Sequence, residues 1–364
     1  MSSPLLETPG AIPAPEGHPD AGVPWHFGDP FAEQRTAARS VVVVDRSDRE
    51  VLAVPGADRL DWLHNLTTQH FNALREPDGS EALVLDLHGR IEHHTIVANV
   101  ADTVWLDTEK GRSAALLGYL DSMRFWSKVD PRDASGELAV LSVLGPDADA
   151  VLDKLGVALD ARPYAVAALP AGGFARRMPW PHPNTVDLLV PREELTGWWQ
   201  RITDAGARPA GSWAYEALRV EALRPRLGVD TDEKAIPNEV NWLGSAVHLD
   251  KGCYRGQETV AKVYNVGKPP RRMALLHLDG SPEVLPETGE SLRHGERVVG
   301  RVGSVEQHHE LGPIALALVK RSVQPDAELL AGEDDHVVQA AIDPDSLPAE
   351  HVAPGREAAK GLRG

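Results

Sequence analysis

The sequence predicts an α+β protein that ends in a small antiparallel β-barrel. Three observations carry this. Strand-like and helix-like segments are mixed without a regular βαβ rhythm. From Ala274 onward the pattern is strands and turns only. The length of 364 residues suits two or three domains, each able to bury a core.

Residues 1–30 hold seven Pro, four Gly and no Lys or Arg, so the composition predicts a disordered Pro-rich tail. Val41–Val44 and Val51–Val54 read as short strands around the polar turn 45–50. The turn 55–58 starts a helix that places Leu60, Leu63 and Leu66 on one face, with Trp62 beside them. A meander follows: Ala82–Leu87, Ile91–Val100 and Thr103–Asp107, with turns at His88-Gly89 and Ala101-Asp102. A helix is predicted from about Arg112 to Met123, then a strand near Phe125–Val129.

Leu138–Leu144 reads as a strand closed by Gly145-Pro146, with a helix over Asp147–Leu155. Thr185–Val190 is a strand, Glu193–Ala205 a helix whose Trp198 and Trp199 pack on a sheet, and Tyr215–Leu223 another helix. The barrel strands are Ala274–Leu278, Val298–Val305 and Ile314–Val319. The predicted divisions are therefore 1–30 tail, 31–136 first α+β part, 137–268 second α+β part interleaved with it, 269–342 barrel and 343–364 disordered tail.

Charge and cysteine content exclude several functions. The chain carries 54 acidic and 37 basic residues, a net −17, which opposes a protein that coats nucleic acid or an anionic membrane. A single cysteine, Cys253, excludes an intrachain disulfide and any self-contained four-cysteine metal site. The N-terminus shows no positively charged segment followed by an apolar run, and the expected compartment is the cytoplasm. His93-His94 and His308-His309 are adjacent pairs, and strand neighbours point to opposite faces, so no metal site is expected.

The informative stretch is Lys251–Arg272. It holds Lys251, Arg255, Lys262, Lys268, Arg271 and Arg272 against one acid, Glu258, a local +5. Such an island suits an anion such as a carboxylate tail or a phosphate; the competing reading is a solvated loop whose charges offset nearby carboxylates. Cys253 lies just before a helix that begins near Gly256, beside Lys251 and Arg255. That setting favours a thiolate, and so a reactive or ligating thiol, although a lone cysteine is more commonly a small buried residue. Glu221 falls on a helix between Val220 and Ala222 and reads as a partly buried carboxylate. It either pairs with Arg219 or Arg224, or awaits a ligand with two adjacent N–H donors, as on a pterin edge.

Lys251–Glu258, KGCYRGQE, resembles the K-G-C-Y-x-G-Q-E signature of the folate-binding YgfZ family, related to the aminomethyltransferase of the glycine cleavage system. In chain order, Leu63–Gln69, Leu144-Gly145-Pro146, Leu218–Ala222, Pro237-Asn238-Glu239 and Gly300–Val319 resemble further family segments, so the likeness covers about residues 35–330. The resemblance implies a three-domain ring around a folate channel. It implies tetrahydrofolate or a one-carbon derivative as cofactor, with Glu221 on the pterin edge and Lys251, Tyr254, Gln257 and Glu258 at the site. It further implies a cytoplasmic accessory protein for iron–sulfur cluster assembly or repair, linked to tRNA modification through iron–sulfur enzymes, with Cys253 as the active thiol. The implied partners are reduced folate and iron–sulfur client or assembly proteins; the net charge disfavours direct tRNA binding. The alternative is a tetrahydrofolate-dependent aminomethyltransferase. Against it, the paired-aspartate motif of that enzyme falls on Gly89–His94, where Glu92 supplies one acid and His93 stands in place of the other. The extra methylene of Glu92 displaces its carboxylate, which ranks the accessory role first.

Overall fold

A computed structural model describes residues 2–281 and 284–348. The chain forms two compact units interleaved in sequence. The first gathers Met1–Asn65, His70–Ala82 and Thr95–Ala222; the second gathers Leu66–Gln69, Leu83–His94 and the chain from Leu223 onward. The divisions predicted at 136/137 and 268/269 do not coincide with this partition. The chain changes unit inside the strands Asp78–Leu85 and Ile91–Val100, where composition gives no signal.

The first unit holds a six-stranded sheet in the order Val166–Ala168, Phe174–Met178, Thr185–Pro191, Leu138–Leu144, Val42–Asp45, Arg208–Ala210. All its pairs are antiparallel except Arg208–Ala210 beside Val42–Asp45. The two Val- and Leu-rich runs are buried on both faces, which is why they show no alternation in sequence. Val41, Val43, Leu141 and Val143 pack with Trp198, Trp199 and Ile202 of the helix Leu195–Asp204 on one face. Val42, Val44 and Leu144 pack with Tyr215 and Leu218 of the helix Ser212–Glu221 on the other. Each such aliphatic side chain contributes roughly 1.5–3 kcal/mol of burial.

A five-stranded sheet runs in the order Asp78–Leu85, Ile91–Val100, Thr103–Thr108, Glu50–Pro55, Arg132–Asp133. It is coupled to the six-stranded sheet by buried charge. Arg176, fully buried, lies 2.7 Å from Asp107 and 3.2 Å from Asp187, and Asp107 also receives Arg49 Nε at 2.8 Å. Burial alone would raise the Asp107 carboxyl; the charges of Arg176 and Arg49 overcome it and hold the group below its usual range.

Two expectations are corrected here. No strand forms at Phe125–Val129. The chain turns instead, with Phe125 in the left-handed region at φ 41° and Trp126 almost fully exposed. The apolar pair imitates a strand, but no neighbouring strand pairs with it. The N-terminal tail is also ordered. Ser3 Oγ donates to Asp45 at 2.5 Å, Leu5 is fully buried in the first unit's core, and Ile12–Pro13 pairs with Pro24–His26. Composition averaged over thirty residues hides these few anchoring side chains.

In the second unit the barrel closes in the order Arg271–Leu278, Gly312–Lys320, Arg297–His308, Ser291–His294, Leu329–Ala331, Val338–Ile342. Three of these strands were predicted. The other three are three to five residues long, too short for a periodic signal. The disordered tail predicted from 343 does not begin there. Pro344–Ser346 forms a 3₁₀ turn, and Ser346 Oγ accepts from Leu275 N at 3.0 Å. The rest of that predicted tail, 349–364, lies outside the described residues. No described helix is long and apolar enough to cross a membrane.

Replacing Arg176 by Met removes the cation shared by the buried Asp107 and Asp187, leaving Asp107 to Arg49 and Asp187 to Arg46 and Ser142, so a loss of about 3 kcal/mol is expected in urea unfolding. Because the folded Asp107 carboxyl sits below its ordinary 3.8, its contribution is complete above that pH and is lost as pH falls through and below it. The Asp107→Asn variant should therefore show a flatter acid limb than the parent.

Candidate functional site

The signature octapeptide lies in the second unit as a loop, Lys251–Gly256, leading into the helix Gln257–Val266. Gly256 caps this helix in a left-handed conformation, φ 80°. A Cβ at Gly256 would sit 2.6 Å from Asp86 O and 2.7 Å from Gly89 Cα. The hairpin turn at Gly89 and the start of the helix thus meet backbone to backbone. The contact brings Glu92 to the loop: Arg255 Nη1 donates to Glu92 Oε2 at 2.9 Å. Glu92 remains partly exposed beyond this pair.

Lys251 does not reach solvent. Its Nζ donates to Thr67 O at 2.6 Å and Gln69 O at 3.1 Å, and it stands 5.3 Å from the centre of the Tyr254 ring. Burial lowers its ammonium from 10.5 to about 8. Tyr254 is buried as well, and desolvation pushes its phenol up to about 12. Gln257 is half-buried and Glu258 exposed, both in the helix's first turn, where an acid suits the helix dipole. Cys253 is exposed, between the two inward-turned residues Lys251 and Tyr254.

Several expectations change. Cys253 stands three positions before the Gly256 cap, in the loop and not in the helical turn. Its two cationic neighbours are turned elsewhere, Lys251 to carbonyls and Arg255 to Glu92. The cationic island is largely dispersed. Arg271 donates to Asp232 at 2.5 and 3.1 Å and to Glu239 at 2.9 and 2.7 Å. Arg272 Nη2 donates to Val323 O at 2.8 Å, while Lys262 and Lys268 are exposed. Arg255 and Arg271 offset carboxylates, while Lys251 and Arg272 cap carbonyls.

Glu221 is exposed, not partly buried. It closes the helix Ser212–Glu221, and its neighbour Val220 takes the inward position. Arg219 pairs with Glu216 at 2.7 Å, and Arg224 Nη1 also donates to Asn241 O at 3.2 Å. His94 is a core residue, its ring stacked 4.3 Å from Trp242. Among the described residues no group of three or more His, Cys, Asp or Glu is placed to hold a metal. Sequence reasoning missed Asp232 and Glu239 as the partners of Arg271; nothing in their spacing announces the pairing, which folding alone creates.

Replacing Gly256 by Ala should destabilise the protein by about 1–3 kcal/mol, through both its positive φ and the contact with Asp86 and Gly89, and should detach Arg255 from Glu92. Thermal unfolding measures the first effect, and a double-mutant cycle on Arg255 and Glu92 the second. Lys251→Met should cost about 1.5–3 kcal/mol, since two carbonyls lose a charged donor. Between pH about 8 and 10.5 the unfolded parent holds the Lys251 proton that the folded parent has released. Parental stability should therefore rise with pH across that window relative to Lys251→Met, in urea unfolding at fixed ionic strength.

Several known proteins are similar to this chain. The aminomethyltransferase of Synechococcus sp. (strain WH7803) is 27% identical over 339 residues, 88% of this chain and 90% of that protein. A chloroplastic protein of Arabidopsis thaliana is 28% identical over 263 residues, 67% of this chain and 57% of its own length. The match to the Nitrosococcus oceani aminomethyltransferase, 27% identical, covers 60% of each chain. The crystal structure of glycine cleavage system aminomethyltransferase T from Bartonella henselae has a TM-score of 0.82 and 16% identity, covering 95% of this chain and 97% of that one. It shares the fold. The GCVT N-terminal domain matches residues 23–251, more than half of the chain, and the chain belongs to that family.

Proposed function

We propose that this chain binds tetrahydrofolate, or a one-carbon derivative of it, and acts in one-carbon transfer of the aminomethyltransferase type. This reverses the order in which the sequence ranked its two readings. The family match and the nearly full-length likeness to an aminomethyltransferase support the reversal. The observation that carries it is Glu92. Arg255 holds the Glu92 carboxylate at 2.9 Å while leaving it partly exposed, which favours this reading despite the extra methylene. A fixed, accessible carboxylate can hold or accept a proton from an approaching amine.

Glu221, exposed at the end of its helix, is accessible to a pterin edge. Its carboxylate lies at the negative end of the helix dipole. Two N–H donors brought to that carboxylate would be attracted by both the group and the helix end. Tetrahydrofolate, when bound, supplies the nitrogen atoms that carry the one-carbon unit. Lys251 and Tyr254 then serve the loop's shape, and Gln257 and Glu258 its entry into the helix.

A specific observation keeps a second reading in view. Cys253 is exposed on a loop whose neighbouring residues are turned inward. This supports the finer YgfZ-like role in iron–sulfur protein maturation, in which one thiol supplies a single ligand to a cluster completed by a partner.

With aminomethylated lipoyl carrier protein and tetrahydrofolate, the purified chain should release ammonia, and Glu92→Gln should lower turnover by about 10²-fold or more. Glu221→Gln should weaken tetrahydrofolate binding by roughly tenfold or more in a fluorescence titration. No turnover by the parent, together with a Cys253→Ala variant that fails to restore iron–sulfur enzyme activities in a deletion strain, would replace the first reading by the second.

A further inference from the structure

Arg271 and Arg272 are neighbours with opposite fates. Arg271 is gripped by two carboxylates, Asp232 and Glu239. Arg272 has none within ion-pair distance among the described residues, in a chain with 54 acidic side chains.

The strand pairing gives Arg272 a companion. Arg272 opposes Val319, and Arg271 opposes Lys320, in the antiparallel ladder of the barrel. One step beyond, Arg321 N donates to Pro270 O at 3.0 Å, which carries the register on to Arg321. Opposed residues share a face, and faces alternate along each strand. Arg272 and Arg321 therefore stand on the same face as diagonal neighbours. Arg272 Nη2 is anchored to Val323 O, while its Nε is buried without a hydrogen-bond partner. Burial and the nearby Arg321 charge together hold the Arg272 guanidinium below its ordinary value. Two like charges set side by side without a carboxylate, one with an unsatisfied donor, leave a concentration of positive potential that no acidic side chain among the described residues balances.

We propose that Arg272 and Arg321 form a binding site for a dianionic oxyanion on the barrel of the second unit. Guanidinium groups present planar pairs of N–H donors that match the oxygens of phosphate and carboxylate, and a dianion balances both charges. The ligand class is a phosphate monoester or a dicarboxylate. The inference does not rest on the folate reading, since neither arginine is assigned there.

The test is calorimetric titration of the full chain with inorganic phosphate and, separately, with glutarate in low-chloride buffer. Saturable one-site binding of at least one anion is expected, falling as salt rises. Arg321→Gln should weaken it by about tenfold or more. That substitution keeps the ladder bond, because the backbone N–H of residue 321 is the donor. Arg272→Gln should act in the same direction; if it fails to fold, Arg321→Gln decides alone. Tighter phosphate binding supports the site as a phosphate receptor, and tighter glutarate binding supports it as a carboxylate receptor. Absence of saturable binding for both anions, or unchanged affinity in Arg321→Gln, overturns the proposal.

Discussion

Gly256 and Gly89 approach so closely that a Cβ on Gly256 would collide with the Gly89 backbone, and one on Gly89 would press on Thr259 and on Gly256 O. This contact docks the turn of one hairpin against the first residue of the signature helix. From it follow the neighbouring contacts of the second unit. Ile91 N donates to Ala235 O at 2.9 Å, Asn238 Nδ2 to Val260 O at 3.3 Å, and Arg255 reaches Glu92. The glycines also explain the otherwise odd signature. A left-handed cap at the start of a helix is costly for any residue with a side chain, so the Gly in K-G-C-Y-x-G-Q-E is set by geometry.

The same contact changes what the loop's charges mean. Read along the chain, six cations and one acid look like an anion receptor. In three dimensions the fold distributes them one by one. Lys251 is a buried strut whose partners are backbone carbonyls from the segment after the helix Arg59–Leu66. Arg255 orients an acid. Arg271 ties the 3₁₀ turn Pro237–Glu239 to the first barrel strand. A formal charge count cannot foresee this, because the compensating acids, Glu92, Asp232 and Glu239, lie outside the window and approach it only on folding.

Legibility of the fold followed the length and periodicity of each element. The bounds predicted for Ile91–Val100 and Leu138–Leu144 match the structure, the first set by its flanking turns and the second by a nearly continuous apolar run. The short barrel strands were illegible for the opposite reason; they exist because the longer strands leave a gap to close. Phe125-Trp126 misled because aromatic residues favour strands only where a neighbouring strand can pair with them. In the candidate site the residue types were legible from the octapeptide and their environments were not. Glu221 reads as partly buried in the sequence because its neighbours are apolar. On a helix, adjacent residues differ by about 100° in direction, so an apolar neighbour says little about burial.

The balance between the two functional readings turns on which side chains remain open once the fold has made its own use of the signature. Lys251 and Tyr254 are internal, and Arg255 is engaged, so the groups left to meet a ligand in this part of the second unit are Glu92, Gln257, Glu258 and Cys253. An acid held by an arginine has its geometry fixed before any ligand arrives, which is what proton transfer from a bound amine requires. An exposed loop thiol has no such fixation, and it suits a role completed by a partner's ligands. The structure thus prepares Glu92 more thoroughly than Cys253. That difference in preorganisation, joined to the family match, supports the proposal of one-carbon transfer over that of cluster maturation.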